Sequence, residues 1–297
     1  MPPRIAFYGR MYWDVEVRIP IEAVAGAKSK VDAPVSLALG GFACNAARAV
    51  EARFPTGAVR VVTRALDRDL LRRSLSKRIG IDAIPTKSAA GMPPISVILD
   101  PGGACRIFRD RGDRDAAEWR ADRVPASARA ASLHVLGRLP IPFAEKILER
   151  CHAAGARFAW CGGDSLPIAL EQRTDILCVN TAEASRMLGT AGQTPRALAE
   201  GLAYRARVGG AVRVVTGGGR APTAAAIRAA DGIHCHEAAN RTVAREKIRR
   251  LLGVGDAFAG HFLATACFDE RGVPRASVDV KRGLSEAQRA AAKFIQS

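Results

Sequence analysis

Short apolar runs alternate with amphipathic helical patterns along most of this chain, and this alternation most constrains its fold. Continuous apolar strands between helices are typical of a parallel sheet covered on both faces. The pattern predicts a doubly wound α/β fold, in which ligands bind beyond the carboxyl ends of the strands. The predicted strands are Ile5–Gly9, Ala58–Thr63, Ser132–Leu136, Arg157–Cys161, Ile176–Asn180 and Val212–Thr216. The predicted helices are Ala43–Phe54, Asp67–Ile79, Pro142–Ala153, Thr181–Leu188 and Pro195–Arg207.

Two regions interrupt the alternation. Val15–Ile19 alternates apolar and polar residues, while Ile95–Leu99 and Cys105–Arg109 flank a turn signal at Asp100-Pro-Gly-Gly. We interpret all three segments as antiparallel strands that project from the main sheet as a lid. They are discontinuous in sequence, so no clean linker separates the lid from the core.

Length and composition place the chain among ordinary globular proteins. It has 297 residues, of which 48% are hydrophobic, and no apolar run approaches the ~18 residues that span a bilayer. The start, MPPRIAFYG, is typical of a first strand rather than a signal peptide. The seven scattered cysteines never form C-x-x-C, which argues against a disulfide framework and for a reducing cytoplasm. We therefore expect a cytoplasmic protein with no membrane partner.

The formal net charge of +16 is the unusual feature of the composition. A nucleic-acid-binding surface would produce such a charge. An arginine-rich coding bias, with the arginines spread over solvated faces, would produce it as well. The arginines extend along the whole chain with only short clusters, which favours the second interpretation. Affinity for acidic or phosphorylated small ligands agrees with both.

The most informative segment is Gly253-Val254-Gly255-Asp256, which opens an apolar helical pattern. The free amides and the dipole of a helix start bind anions such as phosphate. A carboxylate beside such a site can accept the proton of an attacking hydroxyl during phosphoryl transfer. Asp is also a common capping residue, so on this motif alone Asp256 is equally a general base or a helix cap.

Two further segments carry polar residues next to glycines. Gly40 and Gly41 permit a close backbone approach, and Asn45 follows in the first turn of the next predicted helix. Asp14 follows the first predicted strand and could accept hydrogen bonds from two hydroxyl groups. Each segment alone is better explained by a turn, because Asp and Gly are common turn residues.

Together, these segments resemble the ribokinase-like family of carbohydrate and nucleoside kinases, often called the PfkB family. Gly40 to Asn45 is similar to the N-terminal signature of the family, and Gly253 to Asp256 to its C-terminal signature. Asn180-Thr-Ala-Glu183 resembles the family N-x-x-E motif, and Thr216-Gly-Gly218 resembles its T-x-G loop. The four motifs occur in the family order and cover nearly the whole chain.

The resemblance implies a Rossmann-like three-layer α/β/α domain over residues 1–297, with a lid formed by segments at about 14–36 and 92–112. It implies a kinase that uses ATP and Mg²⁺ to phosphorylate a hydroxymethyl group of a sugar or nucleoside, and it allows a homodimer through the lid. Asp256 would be the base, and Gly253, Val254 and Gly255 would supply an anion hole. The other roles implied are substrate binding by Asp14, Gly40, Gly41 and Asn45, nucleotide binding by Asn180, Glu183, Thr216 and Gly218, and water-mediated Mg²⁺ binding by Glu183.

The sequence departs from the family at two places. Arg250, Leu251 and Leu252 replace the Asp-Thr-Thr that commonly precedes the signature, and that Asp helps bind an activating monovalent cation. We therefore expect an activity that does not depend on potassium. The family usually adds a Gly-Ala turn and a short strand after its last helix, whereas this sequence ends at Ser297, soon after a helical pattern at Glu286–Ile295.

Two alternatives to a kinase remain at this point. A non-catalytic family member would bind a metabolite without turning it over, and the altered residues before Gly253 would fit that function. A nucleic-acid-binding protein would explain the net charge, but no segment resembles a recognition-helix motif. We expect a small-molecule substrate rather than nucleic acid.

Overall fold

The structure of the chain is a computed structural model. It describes residues 4–19, 35–64, 72, 74–84, 95–101, 106–109, 119–162, 166–218, 221–241, 243–244, 247 and 253–296. Within these residues the strands form two sheets, one of nine strands and one of four.

The nine-stranded sheet is the centre of the molecule. Its strands are β1 (Ile5–Tyr8), β4 (Val59–Arg64), β5 (Ile79–Ile84), β8 (Leu133–Leu136), β9 (Arg157–Cys161), β10 (Ile176–Asn180), β11 (Val212–Thr216), β12 (Thr223–Ala229) and β13 (Gly232–Ala238). Their order across the sheet is β13-β12-β11-β10-β9-β8-β1-β4-β5. The strands from β5 to β11 in this order pair in parallel, and β12 and β13 continue the sheet antiparallel. The carboxyl ends of the parallel strands therefore meet at one edge.

Helices cover both faces of this sheet. They are α1 (Phe42–Val50), α2 (Ala126–Arg129), α3 (Ile141–Ala153), α4 (Ile168–Arg173), α5 (Thr181–Leu188), α6 (Pro195–Arg205), α7 (Val254–Cys267) and α8 (Val280–Gln296). The core on one face contains side chains of α1, α7 and α8, and the core on the other contains side chains of α2 to α6. The predicted α/β/α architecture, with a mainly parallel central sheet, is confirmed.

The smaller sheet is the lid, and its order is β3-β2-β6-β7. Its strands are β2 (Tyr12–Ile19), β3 (Val35–Gly40), β6 (Ile95–Pro101) and β7 (Arg106–Arg109). β2–β3 and β6–β7 are antiparallel pairs, but β2 and β6 run parallel. The predicted antiparallel pairing is thus confirmed for β6–β7, whereas β2 and β6 pair in parallel, contrary to the expectation of antiparallel strands throughout.

Other differences lie at the edges of the two sheets. The helix predicted at Asp67–Ile79 falls largely outside the described residues, and its last residue, Ile79, is instead the first residue of β5. Strands β3, β5, β12 and β13 were not predicted. β3 forms an edge of the lid and exposes Val35 and Leu37, 64% and 62% of whose surfaces are accessible. Among the described helices, none has the length and apolar character needed to cross a bilayer.

Candidate active site

The glycine-rich segment before α7 forms a helix start with free amides. Gly253 is the N-cap residue and has a left-handed backbone, with φ 79° and ψ 2°, which favours glycine. Because the N-cap residue is glycine, it forms no side-chain hydrogen bond to the first-turn amides of α7. Asp256 lies in the first turn and not at the cap. This first turn lies at the carboxyl edge of the sheet, because Gly255 and Asp256 line a cavity together with Asn180 and Thr216, which end β10 and β11.

The two glycine-containing signatures meet at the side chain of Asp256. Asn45 is buried in the first turn of α1, and its Nδ2 donates a hydrogen bond of 2.9 Å to Asp256 Oδ2. The two helices can approach because Gly260 of α7 lies against the backbone of Ala46, where an added Cβ would lie 2.8 Å from the carbonyl oxygen. Asn45 Oδ1 is buried and has no hydrogen-bond partner among the described residues. The hydroxyl group of a ligand could supply this missing donor.

Asp14 approaches the same place from the lid. Its Oδ2 lies over Gly40, where an added Cβ would overlap it. Gly41 has φ 98° and is the N-cap of α1, and a Cβ there would overlap the Arg10 carbonyl oxygen. The pKa of the Cys44 thiol is raised to about 12, mainly by burial; the charge of Arg48 opposes the increase, and the charges of Asp14 and Asp256 add to it. The two carboxylates therefore lie near one buried thiol, on the side of the site that faces the lid.

The N-x-x-E segment forms the opposite side of the site. Asn180 ends β10 and caps α5, because its Oδ1 accepts a hydrogen bond of 2.9 Å from the Glu183 amide. The Glu183 Oε2 accepts one of 3.0 Å from the Asn180 amide, which completes a capping box. Asn180 is the register partner of Thr216 at the end of β11. This hydrogen-bonded turn holds both polar side chains at the carboxyl edge.

A cavity of about 200 Å³ lies between these two sides. Among the residues lining it are five predicted site residues: Asn180, Glu183, Thr216, Gly255 and Asp256. The pKa of the Cys161 thiol in its wall is raised well above the usual value by burial, by its contact with Cys178 and by the charges of Asp256 and Glu183. Two carboxylates and a helix start thus face one cavity large enough for a phosphoryl group. No cluster of three or more His, Cys, Asp or Glu able to hold a metal occurs in the described part of the chain.

Other predicted residues lie around this cavity or outside the described residues. Gly253 and Val254 belong to the α7 start, and Gly40 and Gly41 lie on its lid side. Gly218, with φ 64°, is in the loop after β11, where its carbonyl accepts a 2.7 Å hydrogen bond from Asn240. Arg250, Leu251 and Leu252 lie outside the described residues, so independence from potassium stays a prediction.

Sequence reasoning missed Arg138. Its Nη2 donates a hydrogen bond of 2.8 Å to Glu183 Oε1, and 60% of its side-chain surface is exposed. Arg138 follows β8 by two residues, at the same carboxyl edge as Asn180 and Thr216. The rule that ligands bind beyond the carboxyl ends of strands could have singled it out, although its glutamate partner is 45 residues away.

The whole fold is similar to solved structures of sugar and nucleoside kinases. Adenosine kinase from Schistosoma mansoni in complex with 2-fluoroadenosine matches with a TM-score of 0.75 and 16% identity, over 100% of this chain and 96% of that chain. Ribokinase from Arabidopsis thaliana complexed with ribose and ATP matches with 0.67 and 17%, over 100% and 94%. Ribokinase from Giardia lamblia matches with 0.70 and 17%, over 99% and 94%. No protein-family model and no curated protein matches the sequence.

Proposed function

The chain has the ribokinase-like fold, and from that premise we propose that it is an ATP-dependent kinase for a hydroxymethyl group of a sugar or nucleoside. One observation carries the proposal. Asp256, held by Asn45 at the start of α7, and the Asn180–Glu183 turn face each other across one cavity. Solved structures of the same fold contain ribose with ATP in one case and a nucleoside analogue in another.

The reaction in this cavity moves one proton and transfers one phosphoryl group. The acceptor hydroxyl gives its proton to the Asp256 carboxylate while its oxygen forms a bond to the γ-phosphorus of ATP. The bond from that phosphorus to the β–γ bridging oxygen breaks, and ADP leaves with the electron pair. The amides of Gly253, Val254 and Gly255 stabilise the negative charge on the transferred group.

The acceptor lies on the lid side of Asp256. Asp14 accepts hydrogen bonds from acceptor hydroxyls, and Asn45 offers Oδ1 for another. Gly40 leaves room for the Asp14 carboxylate and Gly41 for the Arg10 carbonyl oxygen, so the two glycines shape the acceptor side around Asp14. Because β2 and β3 lie above this position, closure of the lid over the acceptor excludes water, which favours transfer over hydrolysis of ATP.

The nucleotide lies on the other side, along the ends of β10 and β11. Thr216 and Gly218 contact it, and Asn240 fixes their loop through its hydrogen bond to Gly218. Gln288 Nε2 in turn donates 3.1 Å to Asn240 Oδ1 and 2.7 Å to Thr223 Oγ1. This chain of hydrogen bonds connects the nucleotide loop to α8.

The fold family also implies Mg²⁺, and the donor set of the cavity fits it. Mg²⁺ keeps several waters and binds through one or two carboxylates together with substrate phosphates. Glu183 and Asp256 are two carboxylates in the wall of one cavity, and Glu183 with Asn180 would hold the hydrated ion. The ion would neutralise charge on the phosphates when bound.

Replacing Asp256 by Asn tests the proposal. We expect Asp256→Asn to lower kcat on the best acceptor by on the order of 10²–10⁴-fold, with an unchanged melting temperature. The matched control is Asp279→Asn, because Asp279 also lies at a helix start, where its Oδ1 accepts a 3.1 Å hydrogen bond from the Arg282 amide. The control should turn over like the wild type. If Asp256→Asn keeps a near-normal kcat, Asp256 is not the base.

A further inference from the structure

Arg138 lies two residues after β8, the strand that lies between the two halves of the site. β8 pairs with β1, which leads to the lid and the acceptor side, and with β9, which leads toward the nucleotide side. The preceding residue, Gly137, is buried against Phe42, where an added Cβ would lie 2.9 Å from Cδ1. Phe42 also lines the cavity. The backbone at Arg138 is therefore at the rim of the cavity.

The side chain of Arg138 extends across the end of β9. Its partner Glu183 lies one turn after β10, and β8 and β10 are separated by two strand spacings of about 4.8 Å each. A hydrogen bond of 2.8 Å to Glu183 requires the arginine to bridge most of that distance. β9 ends at Cys161, and Cys161 and Gly162 form part of the cavity wall. The guanidinium therefore lies at the carboxyl edge of the sheet, above the end of β9 and beside the Asn180–Glu183 turn.

This guanidinium keeps donors available. It has five N–H donors. Among the described residues, its one hydrogen bond is to Glu183. The glutamate is 7% exposed and fixed in the capping box, whereas the arginine is 60% exposed. The buried Glu183 carboxylate therefore holds the Arg138 guanidinium in a fixed position, and the other N–H groups of the guanidinium are exposed to solvent.

The negative charge of the cavity wall favours a cation beside the phosphate groups. Asp256 and Glu183 both line it, and two carboxylates repel an incoming polyphosphate. A planar guanidinium can bind two oxygens of one phosphate group at once. An arginine that stabilises a transferred phosphoryl group from within the same chain is a known device of phosphoryl-transfer enzymes.

We propose that Arg138 binds the phosphoryl group in transfer, with Glu183 holding its guanidinium in position. This proposal rests on the proposed kinase function. It makes Arg138 a catalytic residue that contacts the terminal phosphate of the donor from the strand between the donor and acceptor sides. A role in which Arg138 only neutralises Glu183 predicts instead that Arg138→Lys, which keeps the positive charge, restores phosphate binding in full.

The test compares Arg138→Gln and Arg138→Lys with Arg282→Gln. Arg282 is a matched control, because it also forms a 2.7 Å ion pair with a glutamate, Glu270. It lies near the start of α8, at the end of α7 remote from Asp256, since Phe294 near the other end of α8 packs against Gly253. Each protein is titrated calorimetrically with β,γ-methylene ATP in EDTA and again in excess Mg²⁺, and kcat is measured on the best acceptor.

We expect Arg138→Gln to weaken binding of the metal-free analogue by on the order of tenfold and to lower kcat by on the order of 10²-fold. Arg138→Lys should recover part of the binding, because it keeps the charge but not the planar fork. Arg282→Gln should match the wild type. Wild-type binding and turnover in Arg138→Gln would overturn the proposal and leave the kinase function standing.

Two other outcomes separate the possibilities further. If Arg138→Gln binds the analogue normally but loses affinity for a phosphorylated acceptor, Arg138 belongs to the acceptor side and the proposal is overturned. If the wild type itself binds no triphosphate analogue, with or without Mg²⁺, the kinase function fails and this proposal fails with it.

Discussion

Two buried glutamates on the same face of the central sheet form similar ion pairs in different surroundings. Glu171 in α4 pairs with Arg205 at 2.7 Å, and Glu183 in α5 pairs with Arg138 at 2.8 Å. The distances are nearly equal, but the arginines differ. Arg205 is 22% exposed and also donates to the Met187 carbonyl oxygen, whereas Arg138 is 60% exposed.

A third charged residue, Arg213, lies beside Glu171. Arg213 of β11 is fully buried, and its guanidinium donates to the carbonyl oxygens of Thr174, Val212 and Glu171 at 3.0–3.1 Å. Burial lowers its pKa to about 10, and the nearby charge of Glu171 opposes that change. The arginines of the Glu171 cluster thus donate to carbonyl and carboxylate oxygens of the fold, while 60% of the Arg138 side chain is exposed to solvent. The two ion pairs therefore differ in the exposure of the arginine and not in their length.

The largest effect on stability should come from the buried cluster. We expect Arg213→Met to lower the free energy of unfolding by about 3–5 kcal/mol, because Glu171 then loses a nearby charge and three carbonyls lose donors. Arg138→Gln should cost less than about 1 kcal/mol, because 60% of the arginine side chain is exposed and the new amide can still donate a hydrogen bond to Glu183. Chemical denaturation of both variants measures the difference. Equal losses would show that the two ion pairs have the same purpose.

The next effect concerns the acceptor side. We expect Asn45→Ala and Asp14→Ala to weaken acceptor binding by about 1–3 kcal/mol each, because buried hydroxyls of the acceptor lose partners. Binding of β,γ-methylene ATP should change less. Calorimetric titration with both ligands distinguishes the two effects. If both affinities fall equally, these residues do not separate acceptor from nucleotide.

The remaining effect appears only on acidification and is a pH dependence of the fold itself. His134 lies in the core, accepts a 2.8 Å hydrogen bond from Tyr8 at Nδ1 and donates one of 3.1 Å to Ala131 from Nε2. Burial lowers its pKa to about 4, so below its usual value of about 6.5 the unfolded chain binds the proton first. The free energy of unfolding should therefore fall between pH 6.5 and 4, by up to about 1.4 kcal/mol per pH unit from this residue.

His134→Gln provides the comparison for this dependence. The variant should have a lower stability at neutral pH, because the hydrogen bond with Tyr8 changes, but a shallower loss on acidification. Denaturation at several pH values measures both slopes. Identical slopes would mean that His134 does not contribute to the acid sensitivity.

The sequence predicts best the elements whose signal is local. Strands Arg157–Cys161, Ile176–Asn180 and Val212–Thr216 and the helix Thr181–Leu188 coincide with β9, β10, β11 and α5. They are buried apolar runs and a capped amphipathic helix. Strand β12, with the alanine-rich sequence TAAAIRA, has little β propensity. Its strand conformation comes from pairing with β11 and β13, which no local pattern contains.

The same limit applies to the site, whose local signals are visible in the sequence and whose long-range contacts are not. The glycines and polar residues of four motifs indicate where the cavity is, because helix starts and strand ends have local signatures. The hydrogen bond between Asn45 and Asp256 joins residues 211 positions apart. The Arg138–Glu183 pair joins the segments that follow β8 and β10, which are not neighbouring strands. Such contacts depend on strand order and on the packing of α1 against α7, so sequence pattern alone does not reveal them.

The most direct test of the kinase assignment is ³¹P NMR of the wild-type protein with ATP, Mg²⁺ and a panel of pentoses, hexoses, their phosphates and nucleosides. The account predicts that one acceptor class gives a new phosphomonoester resonance, in amounts that match the ADP formed. Asp256→Asn, measured in parallel, should give no such resonance on the same time scale. Unchanged ATP with every acceptor, or hydrolysis to inorganic phosphate alone, would contradict the assignment.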